Sequence, residues 1–352
     1  MTAVHVVVPD GIDDPAMPSG GNAYDRRICH GLAEIGWPVH VHAVPGSWPR
    51  PDAAAYAALA GVVQDLPEGA LTVLDGLVAS TAPKVLVPHA NRLRLVPLVH
   101  MPLGQDTADG DARMREGAVL SAAASVVTTS AWSRRRLLEL YSLPGDLVHV
   151  AEPGVDAAPL SPGTATGGGL LCVAAVIPGK GHDVLLDALA TMTDLSWDCL
   201  CVGSMDRDPE FAGRLRRRLS GGGIEDRVRF AGPRTGADLD RSYKAADLLV
   251  LPSRGETFGM VVTEALARGL PVVAADVGGV ADTLGHGTGG VRPGRLVPPD
   301  DAGALAAALR IWLSDGEARL SWRRAARERR ASLAGWSTTA SVLAGVLAKA
   351  AR

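Results

Sequence analysis

The sequence predicts an α/β protein of two domains, each a parallel sheet covered by helices, and three observations carry that prediction. The chain has 352 residues, more than the ~100–200 of an ordinary domain. Short apolar runs rich in Val, Leu and Ile alternate with amphipathic stretches of helical period along the whole chain, the repeat that builds parallel βαβ units. Near the midpoint, residues 157–169, AAPLSPGTATGGG, break the repeat with linker composition. Apolar residues make up 47% of the chain, so each half can bury a core of its own.

Bulk composition excludes several classes of function. A formal net charge of −3 gives no long-range attraction for nucleic acid or an anionic membrane surface. No apolar run reaches the ~18–20 residues of a membrane-spanning helix, and no signal peptide precedes the first strand. The four cysteines, Cys29, Cys172, Cys199 and Cys201, sit in apolar settings without metal-ligand spacing. These features together predict a protein of a reducing cytoplasm. Cys199 and Cys201 flank Leu200 on a predicted strand and are read as core residues.

The first half opens with the strand 4–8 and a loop containing Gly11, Pro15, Pro18, Gly20 and Gly21, followed by an amphipathic helix over 24–35 that Gly36 stops. Gly20 and Gly21 would let backbone N–H groups approach a ligand, but the Gly-x-Gly-x-x-Gly dinucleotide fingerprint is absent. Further strands are predicted at 38–44, 71–74, 84–88 and 95–100. His100 closes the last of these, at a carboxyl end where open α/β sheets meet their ligands; His5, His40, His42 and His89 are read as structural. Residues 104–113 form a polar loop suited to the acceptor side of a site. Helix, strand, helix and strand follow through residue 150, with Arg134, Arg135 and Arg136 on a solvated face.

The second half alternates strands and helices from residue 170 to the strand 248–252. Asp206 and Asp208 are read as a loop and a helix N-cap, not a metal motif. The stretch 251–279, LPSRGETFGMVVTEALARGLPVVAADVGG, is the most informative in the chain. A buried strand ends there, and a helix is predicted from about Phe258 to Arg268 with Gly269 as its stop. The N–H groups of Phe258, Gly259, Met260 and Val261 would form a first-turn anion site for a phosphate. Glu256 before the helix and Glu264 within it would repel a phosphate unless they bind hydroxyl groups on either side of it. A diphosphate with a sugar at each end, a nucleotide-sugar, meets that requirement.

Glu256 and Glu264, set in ETFGMVVTEALARGLPVVA, resemble the Glu-x7-Glu signature of the retaining family-4 glycosyltransferases. The resemblance spans nearly the whole chain, most strongly from about 170 to 285. It implies the GT-B fold: two Rossmann-like domains facing each other across a cleft, with a C-terminal helix crossing back to the first. The implied boundaries are residues 1–156 for an acceptor-binding domain, 157–169 for a linker, 170–335 for a nucleotide-sugar-binding domain and 336–352 for the crossover helix. It further implies that Glu256, Lys180 and His100 act in catalysis. The donor would be held by Gly20, Gly21, Gly203, Ser204, Thr257, Phe258, Gly259, Met260, Val261 and Glu264. Lys180, in the Ile-Pro-Gly-Lys-Gly loop, would meet the diphosphate, Glu264 the ribose and His100 the transferred sugar. The family's usual arginine falls at Ala175 here, so Arg254 or Arg234 is a candidate replacement.

The implied activity is transfer of a hexose from a nucleoside-diphosphate sugar such as a UDP- or GDP-sugar to a hydroxyl, with retention and without a metal or other cofactor. The short first domain, free of long hydrophobic insertions, favours a small soluble acceptor such as a cyclitol or pterin. The alternatives are a nucleotide-sugar epimerase of the same fold, a glucan phosphorylase and a non-catalytic nucleotide-sugar-binding protein. A dinucleotide-dependent dehydrogenase is disfavoured by the missing glycine fingerprint.

Overall fold

In a computed structural model, which describes residues 3–16, 18–105 and 109–352, the chain contains two six-stranded parallel sheets. The strands are β1 (Val4–Pro9), β2 (Val39–Val44), β3 (Leu71–Asp75), β4 (Arg94–Val99), β5 (Val126–Thr128) and β6 (Val148–Val150), then β7 (Gly169–Val173), β8 (Asp198–Val202), β9 (Val228–Phe230), β10 (Leu248–Leu251), β11 (Val272–Ala275) and β12 (Gly294–Val297). Their orders are β2-β1-β3-β4-β5-β6 and β12-β11-β10-β7-β8-β9, with every pairing parallel. In each sheet the order reverses beside its first strand, which places a topological switch point at the carboxyl ends of β1 and β7. The chain divides into two compact units, one of Met1–Asp13, Gly20–Gly154 and Ala334–Arg352, the other of Asp14–Ser19 and Val155–Leu333.

In the first unit, all five residues of β3 are buried, as a central parallel strand covered on both faces requires. The helix Gly20–Glu34 turns Tyr24, Asp25, Ile28, Gly31 and Leu32 inward. The final helix, Trp336–Ala350, packs on it and buries Leu343, Val346 and Leu347 in the same core. Gly31 permits the close approach, because a Cβ there would lie 2.8 Å from that of Ala340. Tyr24 is fully buried, and its hydroxyl donates to the Ala151 carbonyl at 2.8 Å.

Two expectations for this unit need correction. Residues 84–88 are not a strand: they lie in the helix Pro83–Leu86 and the 3-10 turn Val87–His89. Pro83 sits in the first helical turn, where its missing N–H costs nothing, and Pro88 cannot donate to a sheet ladder. The helix predicted at 24–35 begins earlier, so Gly20 and Gly21 belong to its first turn and not to the preceding loop. Of the polar loop 104–113, residues 106–108 lie outside the described residues.

In the second unit, β10 and β11 are wholly buried, and leucines and valines fill both faces of the sheet. The stretch with linker composition forms no helix and is tied down at its end. Fully buried Asp247 accepts from Thr164 N and Oγ1, both at 2.6 Å, from Gly169 N at 2.9 Å and from Arg323 Nη2 at 2.7 Å. Asp208 caps the helix Pro209–Gly222 by accepting from Phe211 N at 2.8 Å. The edge strand β12 was not anticipated, since Gly-Arg-Leu-Val carries only two apolar residues.

Candidate active site

The predicted site residues fall into two sets, one in each unit. In the second unit, β10 runs into Pro252 and Ser253, and the helix Met260–Ala267 follows. The helix starts two residues later than predicted, because Gly259 takes the left-handed conformation (φ 82°) and acts as its cap. No side chain caps this helix, so the first-turn N–H groups, Met260 and Val261 among them, remain available to an anion. Phe258 and Thr257 lie in the loop before it; the Phe258 carbonyl is taken by Thr283 Oγ1 at 2.7 Å.

Glu256 is held in front of that helix end. Its Oε1 accepts from Lys180 Nζ at 2.6 Å and from Ser253 Oγ at 2.8 Å, and its side chain is 13% exposed. Its backbone carbonyl accepts from Gly279 N at 3.1 Å. Gly278 makes that contact possible: it has φ 56°, and a Cβ there would sit 1.7 Å from the Glu256 carbonyl oxygen. The Gly-Gly pair closing the motif is therefore a backbone rest for the glutamate.

Lys180 ends the 3-10 turn Pro178–Lys180. Gly181 follows with φ 68°, and its α-carbon approaches the Pro252 carbonyl so closely that a Cβ would stand 2.0 Å away. This packing holds the lysine loop against the end of β10, 76 residues away in sequence from Glu256. Arg254 braces the same loop. Its Nη1 and Nη2 each donate to Asp183 at 2.9 Å, its Nε donates to Asp300 at 2.6 Å, and its backbone N–H bonds the Gly179 carbonyl at 2.9 Å. Burial pushes the Asp183 carboxyl up, but Arg254 outweighs it and holds the pKa below the ordinary value. Arg254 is thus engaged by two carboxylates. Arg234 donates to Ser242 Oγ at 2.9 Å.

Glu264 lies further along the helix and half-buried. Its Oε2 accepts from the hydroxyl of fully buried Tyr243 at 2.7 Å, and Arg268 stacks 4.5 Å from the centre of the Tyr243 ring. Burial raises the Glu264 pKa, and Tyr243 and Arg268 oppose that rise. Gly203 follows β8, where a Cβ would lie 1.9 Å from the Ala174 carbonyl; Ala175 is in that same turn. Ser204 is buried, and its Oγ accepts from Asp206 N at 3.3 Å.

In the first unit, Gly21 lies against His100: a Cβ at residue 21 would come within 3.2 Å of the ring. His100 Nε2 is 2.8 Å from Asp25 Oδ1 and 3.6 Å from Asp75 Oδ2. Tyr24 meets the ring edge-on at 5.2 Å. Burial alone would lower the His100 pKa, but the charge and hydrogen bond of Asp25, aided by Asp75, outweigh it and raise the pKa. Gly20 opens the helix that carries Asp25.

Sequence reasoning missed Ser253, Tyr243, Asp25 and Asp75. A signal existed for Asp25, which shares the apolar stripe of Ile28 and Leu32 at spacings of three and seven residues. A second existed for Asp75, an acid closing an otherwise apolar strand. Arg134, one of the three consecutive arginines, is structural: it donates to the Val148 and Gly145 carbonyls at 2.9 and 2.6 Å.

Residues 167–329 match the family model described as glycosyl transferases group 1. The D-inositol 3-phosphate glycosyltransferase 1 of Catenulispora acidiphila is 34% identical over 295 residues, 78% of this chain and 68% of that protein. The chain belongs to the group 1 glycosyltransferases. The D-inositol 3-phosphate glycosyltransferase of Jonesia denitrificans is also 34% identical, over 71% of this chain and 66% of its own length. The chain thus spans about two thirds of the length of these curated relatives. Among solved structures, sucrose-phosphate synthase from Thermosynechococcus elongatus superposes with a TM-score of 0.79 at 23% identity, covering 98% of each chain. Anabaena HepE in complex with UDP-glucose also reaches 0.79, at 19% identity, over 99% of this chain and 100% of that one. The fold of this glycosyltransferase is therefore GT-B, with two Rossmann-like sheets, the architecture implied by the Glu-x7-Glu resemblance. No helix among the described residues is long and apolar enough to cross a membrane.

Proposed function

We propose that this glycosyltransferase transfers a hexose from a nucleoside-diphosphate sugar to a hydroxyl of a small polar acceptor, with retention of anomeric configuration and without a metal. The observation that carries the reading is the Lys180–Glu256 pair set before an uncapped helix N-terminus, with Glu264 on the helix itself. A cation and oriented N–H groups stabilise charge developing on a departing diphosphate, and a fixed carboxylate orients sugar hydroxyls. No side chain has to act as nucleophile if the leaving diphosphate oxygen takes the acceptor's proton on the same face. In this reading Thr257, Phe258, Gly259, Met260 and Val261 surround the phosphates, Gly203 and Ser204 lie beside the nucleoside, Glu264 binds the ribose, and Gly20, Gly21 and His100 serve the sugar end.

The relatives' names support a phosphorylated cyclitol, or a polyol like it, as acceptor. HepE, solved with UDP-glucose, supports a uridine donor. Four free thiols support a cytoplasmic setting. The test is to incubate the protein with UDP- and GDP-hexoses and a panel of inositols and inositol phosphates, following nucleoside-diphosphate release and the anomeric proton of the product by NMR. An α-linked product from an α-linked donor, formed at the same rate in a chelator, is expected. An inverted product, or activity lost to the chelator and restored by Mn²⁺, would overturn the corresponding part of the reading.

A further inference from the structure

Asp25 lies outside every motif that identified the site, yet it is only 1% exposed in the first unit. A carboxylate in such a place needs donors for both oxygens. Oδ1 has one, His100 Nε2 at 2.8 Å. Oδ2 is buried and has no donor at all. Beside it stands Asp75, 3% exposed, whose Oδ1 accepts from Leu77 N at 2.8 Å and Val78 N at 3.4 Å, while its Oδ2 is 3.6 Å from the same imidazole nitrogen. Three ligating atoms of Asp25, Asp75 and His100 lie within 4.8 Å of one another.

His100 Nε2 faces two carboxylates, so it must carry a proton. Nδ1, on the opposite side of a ring that is 17% exposed, has no hydrogen-bond partner among the described residues. The ring cannot turn freely, because Gly21 packs against its Cδ2 side and Tyr24 meets it edge-on. Two ionised carboxylates side by side in an apolar core repel strongly, and one proton held between them relieves this and supplies the missing donor for Asp25 Oδ2.

We propose that Asp25 is the positioning residue of His100, that Asp25 and Asp75 share one proton, and that the pair thereby holds the imidazole as a cation with Nδ1–H presented to the ligand. The inference deepens the reading of His100 as a residue that serves the transferred sugar. An imidazolium Nδ1–H can only donate, so it selects an acceptor oxygen on the ligand, whereas a neutral ring protonated at Nε2 would offer a lone pair there. Asp25 and Tyr24 come from the helix Gly20–Glu34, which also carries Cys29, and Asp75 comes from the end of β3. Tyr24 is pushed well above its ordinary range by burial and by Asp25. Cys29 rises to about 12 for the same two reasons, so both stay neutral and leave the charge to the three named groups. Burial first, then the Asp25 charge, raises Asp75 to about 7 while His100 pulls it down, consistent with one shared proton at neutral pH.

The test uses the full chain labelled with ¹⁵N-histidine, with ring nitrogens followed from pH 5 to 9 in wild type, Asp25→Asn and Asp75→Asn. In wild type at pH 7, both His100 nitrogens should be protonated. Asp25→Asn keeps the shape and an oxygen for Nε2–H but moves the single negative charge from the atom at 2.8 Å to Asp75 at 3.6 Å, so the His100 pKa should fall and the ring should become neutral, with Nδ1 bare, at a lower pH than in wild type. In that variant kcat should fall about tenfold to a hundredfold, while affinity for free UDP changes less than twofold. The Asp25→Glu variant should recover part of the loss. A neutral His100 in wild type, or an unchanged titration in Asp25→Asn, would overturn the inference. So would a stoichiometric shift of the His100 resonances on adding Zn²⁺, which would make the cluster a metal site. The NMR measurements need no turnover. A wild-type chain that transfers no hexose would therefore remove the proposed reaction and leave this inference standing on its own result.

Discussion

Lys180 and Glu256 meet at 2.6 Å although 76 residues separate them, and they do so because Gly181 and Gly278 let two loops rest on backbone carbonyls at the end of β10. In the proposed reaction an arriving phosphate would draw the lysine from the glutamate, which would then turn to sugar hydroxyls. Lys180→Ala should lower turnover by ~10²–10³, the usual cost of removing a donor aimed at developing charge. The melting temperature should move little, because the lysine packs against no core. Unimpaired kcat in Lys180→Ala would take this loop out of the site.

Glu264 depends on Tyr243. Removing the phenol oxygen in Tyr243→Phe should weaken UDP binding about threefold to tenfold without changing kcat at saturating donor, since it loosens the carboxylate that, in the proposed reaction, binds the ribose and does not react. Isothermal titration with UDP, alongside kcat, checks the split. A fall in kcat with unchanged UDP affinity would assign Glu264 to the transferred sugar.

Arg254 is expected to act through the lysine loop and not on the phosphates. Arg254→Lys would lose the two-pronged grip on Asp183 and should raise the donor KM more than it lowers kcat. A loss confined to kcat would put the guanidinium in the reaction itself.

Asp75 sets a pH dependence of stability whose sign is opposite to that of an ordinary paired carboxylate. Its folded pKa of about 7 lies above the unfolded value of 3.8, so between these the folded state holds more of its proton. The stability it contributes is whole below about pH 4 and declines as pH rises through about 7. Denaturant unfolding of wild type and Asp75→Asn at pH 5 and pH 8 should show the wild type losing more stability over that interval than the variant.

Asp247 should be among the most sensitive positions outside the candidate site. It is fully buried with four donors on it, and Asp247→Ala strands Arg323 and frees residues 164–169. A destabilisation of about 3–5 kcal/mol is expected from breaking a buried charged network. Urea unfolding followed by tryptophan fluorescence reads it, because Trp312 donates to the Gly167 carbonyl in the same segment at 2.7 Å.

The sequence by itself determined the alternation of buried strands and amphipathic helices, and with it two parallel sheets, because a short continuous apolar run and a 3.6-residue apolar period are local properties. It also determined the glutamate pair and the helix after β10, though not that helix's first residue, since these lie within one 29-residue stretch that folds as a single strand–loop–helix unit. Residues 84–88 misled because the apolar run Val85, Leu86, Val87 looks the same in a strand and in a short helix, and Pro83 and Pro88 hinted which would win. What the tertiary structure alone decided were the partners of each charge. Arg254 belongs to Asp183 and Asp300, Lys180 to Glu256, and His100 to Asp25 and Asp75, at separations of 25 to 76 residues. Those pairings follow from which strand ends the parallel topology brings side by side and from which polar groups burial leaves in need of a donor, and neither is written in the spacing of one segment.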